Sequence, residues 1–228
     1  MKKALVALAL VTAISVPAFG QNKEEDRVKN AGRVMSEIMN LPDNIPQNVL
    51  DKADCVVVLP SVKKFAIGIG GSYGRGVMTC RSGKTFHGKW SAPTMMALEG
   101  GSFGLQLGGQ ATDFVLLLMN DNAAASILKS KVKLGGDASV AAGPVGRNAS
   151  AETDVALNAQ VLSYSRAKGL FAGISLSGST LRPDNDANKV LYGKEVKADD
   201  VVFNNVVPPP AGASQLLATL NKKSPTHS

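Results

Sequence analysis

Histidine is nearly absent from this chain: His87 and His227 are the only two in 228 residues. Two histidines and scattered carboxylates make no zinc signature. Nothing in their spacing sets up a serine–histidine–aspartate triad. Ser72 and Ser102 each follow two glycines and precede an aromatic inside a strand-like run. They are not read as a hydrolase elbow, which needs a strand-to-helix turn. Gly68 and Gly70 are followed by Tyr73 where a dinucleotide fingerprint needs glycine, and no phosphate-loop spacing follows. Aromatic residues make up 5% and no recognition motif is present, which argues against nucleic acid as a partner. No fixed period runs through the chain, so it is no solenoid. Beyond the first twenty residues the most apolar run is Asp113-Phe-Val-Leu-Leu-Leu-Met, far too short to span a bilayer. No metal or cofactor is expected, and the chain reads as non-enzymatic.

What the chain has in quantity is glycine, 23 residues, concentrated between Cys55 and Gly109. There, apolar residues alternate with glycine or polar ones, a period near two that predicts strands. Gly70-Gly-Ser-Tyr-Gly and Gly100-Gly-Ser-Phe-Gly echo each other and read as two similar pieces of one antiparallel domain. With 44% hydrophobic residues, the chain is long enough for one domain with a sizeable core.

The first twenty residues read as an address. Lys2 and Lys3 precede an apolar stretch from Ala4 to Val16, and Ala18 and Gly20 are small residues at the expected cleavage site. The expectation is residues 1–20 as signal peptide, cleavage before Gln21, and a periplasmic or extracellular protein; a retained N-terminal anchor is the alternative. The net charge is +7; without Lys2 and Lys3 it is 23 basic to 18 acidic residues, or +5. That balance favours anionic partners without singling one out.

Cys55 and Cys80 are the only cysteines. Each ends a candidate strand, so antiparallel pairing of those strands would bring them together. A disulfide suits an exported protein; two buried small apolar side chains are the alternative.

Glu24 to Met39 predicts an amphipathic helix, with Val28, Ala31, Val34, Met35, Ile38 and Met39 on one face and acidic residues in its first turn. That face packs on the sheet or meets a membrane. A short helix follows Pro46. Strands are expected over 54–60, 65–69, 113–119, 155–164 and 169–178, with alternation over 132–142. Asn120 or Asp121 caps a helix over 122–130, and another over 185–192 stops at Gly193. Residues 201–228 read as a proline-containing tail: a stiff linker through Pro208-Pro-Pro, a last helical turn or two, then a disordered end.

Several blocks resemble the SYLF domain family: Ala53-Asp-Cys-Val-Val-Val-Leu-Pro, Gly68-Ile-Gly-Gly-Ser-Tyr-Gly-Arg-Gly, Trp90-Ser-Ala-Pro, Gly104-Leu-Gln-Leu-Gly-Gly-Gln, Gly143-Pro-Val-Gly-Arg and Ser163-Tyr-Ser-Arg-Ala-Lys-Gly-Leu-Phe-Ala-Gly. They occur in family order from Ala31 to Gly193. The resemblance implies a lipid-binding, actin-regulator-related domain over residues 21–200, in an exported bacterial member. Eukaryotic members are associated with phosphoinositide-rich membranes, some with actin. The expected fold is α+β: a twisted, largely antiparallel sheet, sandwich or barrel-like, with the N-terminal amphipathic helix and one or two packed helices. The candidate lipid-binding residues are Lys63, Lys64, Arg75, Arg81, Arg147, Arg166 and Lys168. They form a basic rim for an anionic phospholipid or phosphoinositide-like head group if their turns converge. Ordinary solvated cations are the alternative. A protein partner through the glycine-rich faces and Pro208-Pro-Pro is the second functional reading.

Overall fold

The computed structural model describes residues 18–67, 69–83, 86–102, 111–146, 158–167 and 170–225. Most of the expected signal peptide, together with Arg147, Lys168 and His227, lies outside them. A single curled sheet of nine strands, a half-barrel, organises the rest. β1 (Cys55–Ile67) and β2 (Ile69–Cys80) form a long hairpin. β3 (Thr94–Ser102), β4 (Ala111–Leu118), β5 (Val132–Lys133), β6 (Val140–Ala142), β7 (Val161–Ala167), β8 (Leu170–Gly173) and β9 (Ser179–Pro183) complete it. The order is β5-β9-β3-β2-β1-β4-β7-β6, with β8 also paired to β7. All pairings are antiparallel except β6 with β7.

β1 is central because it is apolar on both faces. Val56 and Val58 enter one core; Cys55, Val57 and Leu59 enter the other. Such a strand reads as a continuous hydrophobic run. The first core is covered by α1 (Ala18–Met39), whose predicted apolar face is fully buried. The second is covered by α3 (Asp121–Lys129) and α5 (Ala198–Phe203). Asn120 caps α3 by accepting from the Ala123 N–H at 2.9 Å. α2 (Gln47–Leu50) follows Pro46, and α4 (Asn185–Tyr192) ends at left-handed Gly193.

Several expectations need correction. α1 begins at Ala18, so Glu24, Glu25 and Asp26 lie beyond its first turn; Glu24 is instead buried in ion pairs. Residues 155–157 and 169 of two expected strands lie outside the described residues; within them, the strand expected to end at 164 is β7, at 161–167, and the one expected to reach 178 ends at Gly173 as β8, before a turn at left-handed Gly178. The region 132–142 forms two short strands around a turn. The largest difference is at the C-terminus. Residues 201–224 are no loose tail: α5, a 3-10 turn (Ala211–Ala213) and α6 (Ser214–Lys223) fold back onto the body. Leu216 and Leu220, four residues apart on α6, enter the first core beside α1. Gly32 allows the approach, since a Cβ there would stand 2.9 Å from the Leu216 nitrogen.

Ser224 ends this return. The fully buried Arg81 guanidinium donates to its carbonyl oxygen at 3.1 Å and its hydroxyl at 2.5 Å. Trp90 Nε1 donates to the same carbonyl at 3.0 Å, and the Arg81 guanidinium lies 4.5 Å from the Trp90 ring centroid. Next to Arg81, Cys80 is bonded to Cys55, its register partner in β2 and β1.

Between Leu59 and Val62 β1 bulges, and its register shifts against both neighbours. A bulge inserts a residue and bends the strand. It also reverses which face each side chain meets: after it, Val62 joins the second core and Lys63 turns to the first face. β2 accommodates the bend with glycine. A Cβ on Gly76 would overlap the Val58 carbonyl oxygen, and one on Gly74 would overlap Val62. Gly71 is different: its nearest neighbour would be the Gly100 oxygen at 3.7 Å. Gly76→Ala is therefore expected to destabilise the fold by about 1–3 kcal/mol through overpacking. Gly71→Ala is expected to be near neutral. Urea midpoints of the two variants check the contrast; equal midpoints would contradict it.

Candidate functional site

Three strand connections leave the sheet at the same end. β1 and β2 meet there at Ile67 and Ile69; β3 ends at Ser102 beside Gly70; β4 starts at Ala111 beside Lys63; β7 and β8 meet at Ala167 and Leu170. The Gly-Gly-Ser pieces of β2 and β3 face each other here, with Gly71 opposite Gly101 and Ser72 opposite Gly100. The disulfide, Arg81 and Trp90 occupy the other end, roughly 25 Å away by strand rise.

The sequence-derived basic residues separate accordingly. Lys63 is exposed at the turn-bearing end and makes no ion pair with a described residue. Its register partner Tyr73 is also exposed. Lys64 continues β1 toward the same turn. Arg81 does not belong to a rim, because it is buried at the opposite end. Burial pulls its guanidinium below the ordinary value, against the opposing attraction of Asp51 and Asp54.

Arg75 and Arg166 are engaged inside the protein. Arg75 Nε lies 3.0 Å from Asp184 and its Nη1 4.0 Å from Glu24 of α1, and Nε also donates to the Tyr73 hydroxyl. Arg166 holds Asp113 with Nε at 3.1 Å and Nη2 at 2.7 Å, and donates through Nη1 to Glu37 of α1. Asp113 also accepts from the Ser61 N–H of the bulge at 2.9 Å, where Ser61 has φ of 52°. Glu37 takes a further bond from Arg33 at 2.9 Å. Glu24 and Glu37 are about 20 Å apart along α1, so these are two separate clasps between helix and sheet. Two shallow clefts flank Ser61, one bounded by Lys23, Arg27 and Arg75, the other by Arg33, Asp113 and Arg166.

Sequence reading missed the carboxylates. Asp113, Glu37 and Asp184 are unremarkable in isolation, and only the pairing of β4 with β7 and the docking of α1 reveal them as partners for arginine. Ser72 and Ser102 do match Gly-x-Ser-x-Gly in spacing, but both lie in extended strands, and Ser72 is followed by eight further strand residues where an elbow needs a helix. Ser72 Oγ approaches the Gly100 oxygen at 3.4 Å. His87 is exposed in the turn near Arg81. Among the described residues there is no group of three or more histidine, cysteine or acidic residues placed to hold a metal. Nor is any helix there long and apolar enough to cross a membrane.

A curled half-barrel with a clasped N-terminal helix defines the class, and comparison with known proteins gives the family. The family described as "Las17-binding protein actin regulator" (Ysc84) matches residues 99–223. An SH3 domain-containing protein of Schizosaccharomyces pombe is 35% identical over 204 residues, covering 86% of this chain and 46% of the relative. SH3 domain-containing YSC84-like protein 1 of Rattus norvegicus is 34% identical over 204 residues, covering 86% and 58%. LAS seventeen-binding protein 3 of Saccharomyces cerevisiae is 32% identical over 196 residues, covering 82% and 42%. The chain belongs to the Ysc84 family, the SYLF family its blocks resemble. It spans about half the length of the curated relatives it matches.

The Arg166–Glu37 clasp has a pH signature. The hydrogen bond from Arg166 holds the Glu37 carboxyl below its ordinary value of 4.5, with partial burial opposing it. Because the folded value is depressed, its stabilisation is complete above about pH 4.5 and is lost as pH falls through the folded value. Glu37→Gln is expected to remove this part of the acid sensitivity while leaving the rest. Urea midpoints of the two proteins should converge on acidification; a constant gap would contradict the assignment.

Proposed function

We propose that this is an exported, non-enzymatic protein that binds anionic phospholipid, including phosphoinositide-like head groups, at a membrane surface. The observation that carries this reading is the gathering of three strand connections at one sheet end, with exposed Lys63 and Tyr73 side by side there. A lysine at an anionic surface contributes about 1 kcal/mol, and an aromatic with a polar tip suits the interfacial zone. The net charge of the cleaved chain, 23 basic to 18 acidic residues or +5, acts in the same direction. Lys64 is adjacent in sequence, and Lys168 follows Ala167, so both remain in the proposed cationic set; Arg147 remains a candidate from its sequence block. Arg75 and Arg166 act indirectly, holding α1 and the sheet in shape, because their guanidinium groups already face carboxylates.

The decisive comparison is co-sedimentation of wild type and Lys63→Glu with phosphatidylcholine vesicles, with and without phosphatidylglycerol. Wild type is expected to bind only the anionic vesicles, and less at high salt. Charge reversal at Lys63, a change of two unit charges, is expected to weaken binding about thirtyfold. Binding that ignores lipid charge, or is unchanged in the variant, would contradict the reading.

Export is supported by the Lys2–Lys3 start, the apolar stretch after it and a disulfide that suits an oxidising compartment. N-terminal sequencing of the secreted chain is expected to begin at Gln21; an exported chain still starting at Met1 would contradict cleavage.

A second reading is a protein partner. It is favoured by the yeast relative, which is a Las17-binding protein. Pro208 and Pro209 are exposed beside a cleft lined by Tyr192 and Val207. A stoichiometric crosslinked adduct in native membranes, with no vesicle binding by the pure protein, would favour this reading.

A further inference from the structure

We propose that the protein docks end-on, with Leu170 entering the lipid while Lys63 and Tyr73 meet the head groups. This rests on the membrane reading above and adds an orientation and an inserted residue. Leu170 is 78% exposed, against 43% for Tyr73 and Val206 and 40% for Val190, the other exposed large hydrophobic residues among those described. It opens β8, paired with Ala167 at the end of β7. Arg166 of β7 is paired with Asp113 of β4, and Ala111 of β4 with Lys63 of β1. The Leu170 turn therefore lies at the same sheet end as Lys63, about two to three strand spacings or 10–15 Å across.

The hairpin that carries Leu170 is anchored. Phe171 stacks on the buried Tyr164 ring with centroids 5.5 Å apart and planes 6° from parallel. At Gly173 a Cβ would overlap the Gly143 carbonyl oxygen, so the strand lies close against that segment. Packing of half-buried Phe171 on one face leaves Leu170 projecting from the other, held by the sheet.

The faces decide between end-on and side-on docking. Val62 belongs to the second core, so Lys63 and its register partner Tyr73 project from the α1 face. Phe171 is packed against the first core, the α1 side, so Leu170 projects from the opposite face. A flat surface touches groups on both faces of one sheet only at the sheet's end. The surface also matches lipid better than a protein groove. Among the described residues at this end, one leucine projects across from Lys63, without the clustered aromatic and arginine centre of a protein interface. It suits a surface where each side chain finds its own depth.

The test uses Leu170→Cys carrying an environment-sensitive NBD dye, since Cys55 and Cys80 are bonded to each other and do not label. Val190→Cys on α4 is the control. With phosphatidylcholine–phosphatidylglycerol vesicles, the dye at 170 is expected to shift to the blue and be quenched by acyl-chain quenchers, and the dye at 190 to do neither. Leu170→Ser is expected to weaken co-sedimentation about tenfold, the loss of one buried leucine side chain, at both low and high salt. Circular dichroism checks that both variants remain folded. Salt-sensitive binding of unlabelled wild type with no spectral change at 170 and no loss in Leu170→Ser would overturn insertion and leave the anionic-surface reading standing. No binding of unlabelled wild type to these vesicles would overturn both.

Discussion

The bulge in β1 is the constraint on which the turn-bearing end of the molecule depends. Up to Leu59 both faces of this strand are core. If the alternation continued unbroken, Lys63 would point into the second core and Val62 out of it. The bulge at Pro60 and Ser61 reverses the two, and the lysine comes to the surface. Its conformation is held by neighbours: glycine at 74 and 76 leaves room for the bent strand, and Asp113 accepts the Ser61 N–H. The same carboxylate takes Arg166, and Arg166 takes Glu37. One polar chain thus ties β1, β4, β7 and α1 together beside the proposed contact surface.

That chain explains why the arginines are poor candidates for direct phosphate contact. Arg166 has its guanidinium edges directed at Asp113 and Glu37, and Arg75 faces Asp184 and Glu24. A phosphate would have to displace carboxylates that are already paired, of which Asp113, Asp184 and Glu24 are largely buried, and this removes most of the gain. Lys63, exposed at the strand end, makes no ion pair with a described residue. The proposed division follows: arginine for fixing α1 on the sheet, lysine for surface charge, leucine for depth.

The backbone plan was more legible than the site. Continuous apolar runs located the first half of β1 and β4, alternation with glycine located β2, and the spacing of Val28, Ala31, Val34, Met35 and Ile38 located the buried face of α1, because each pattern records which faces are buried. The C-terminal return was missed because Leu216 and Leu220 are only two apolar positions after a triple proline. What recruits them, the Arg81–Trp90–Ser224 contact, joins residues over a hundred positions apart. Arg81 illustrates the limit: as a residue in a basic turn it looks like a surface cation, and only the fold reveals that it closes one end of the sheet. The Asp113–Arg166 pair has the same origin in strand register. Leu170 sat within a recognised block, Lys168-Gly-Leu-Phe-Ala-Gly, but whether Leu170 or Phe171 faces the core depends on how β8 pairs with β7.

One end of the sheet, and not the helix-covered face, is proposed to meet the membrane. Hydrogen–deuterium exchange with and without anionic vesicles tests it most directly. Added protection is expected in the strand ends around Lys63, Tyr73 and Leu170, with α1 and the Cys55–Cys80 end unchanged. Protection confined to α1, or spread over the Arg81 end, would contradict it.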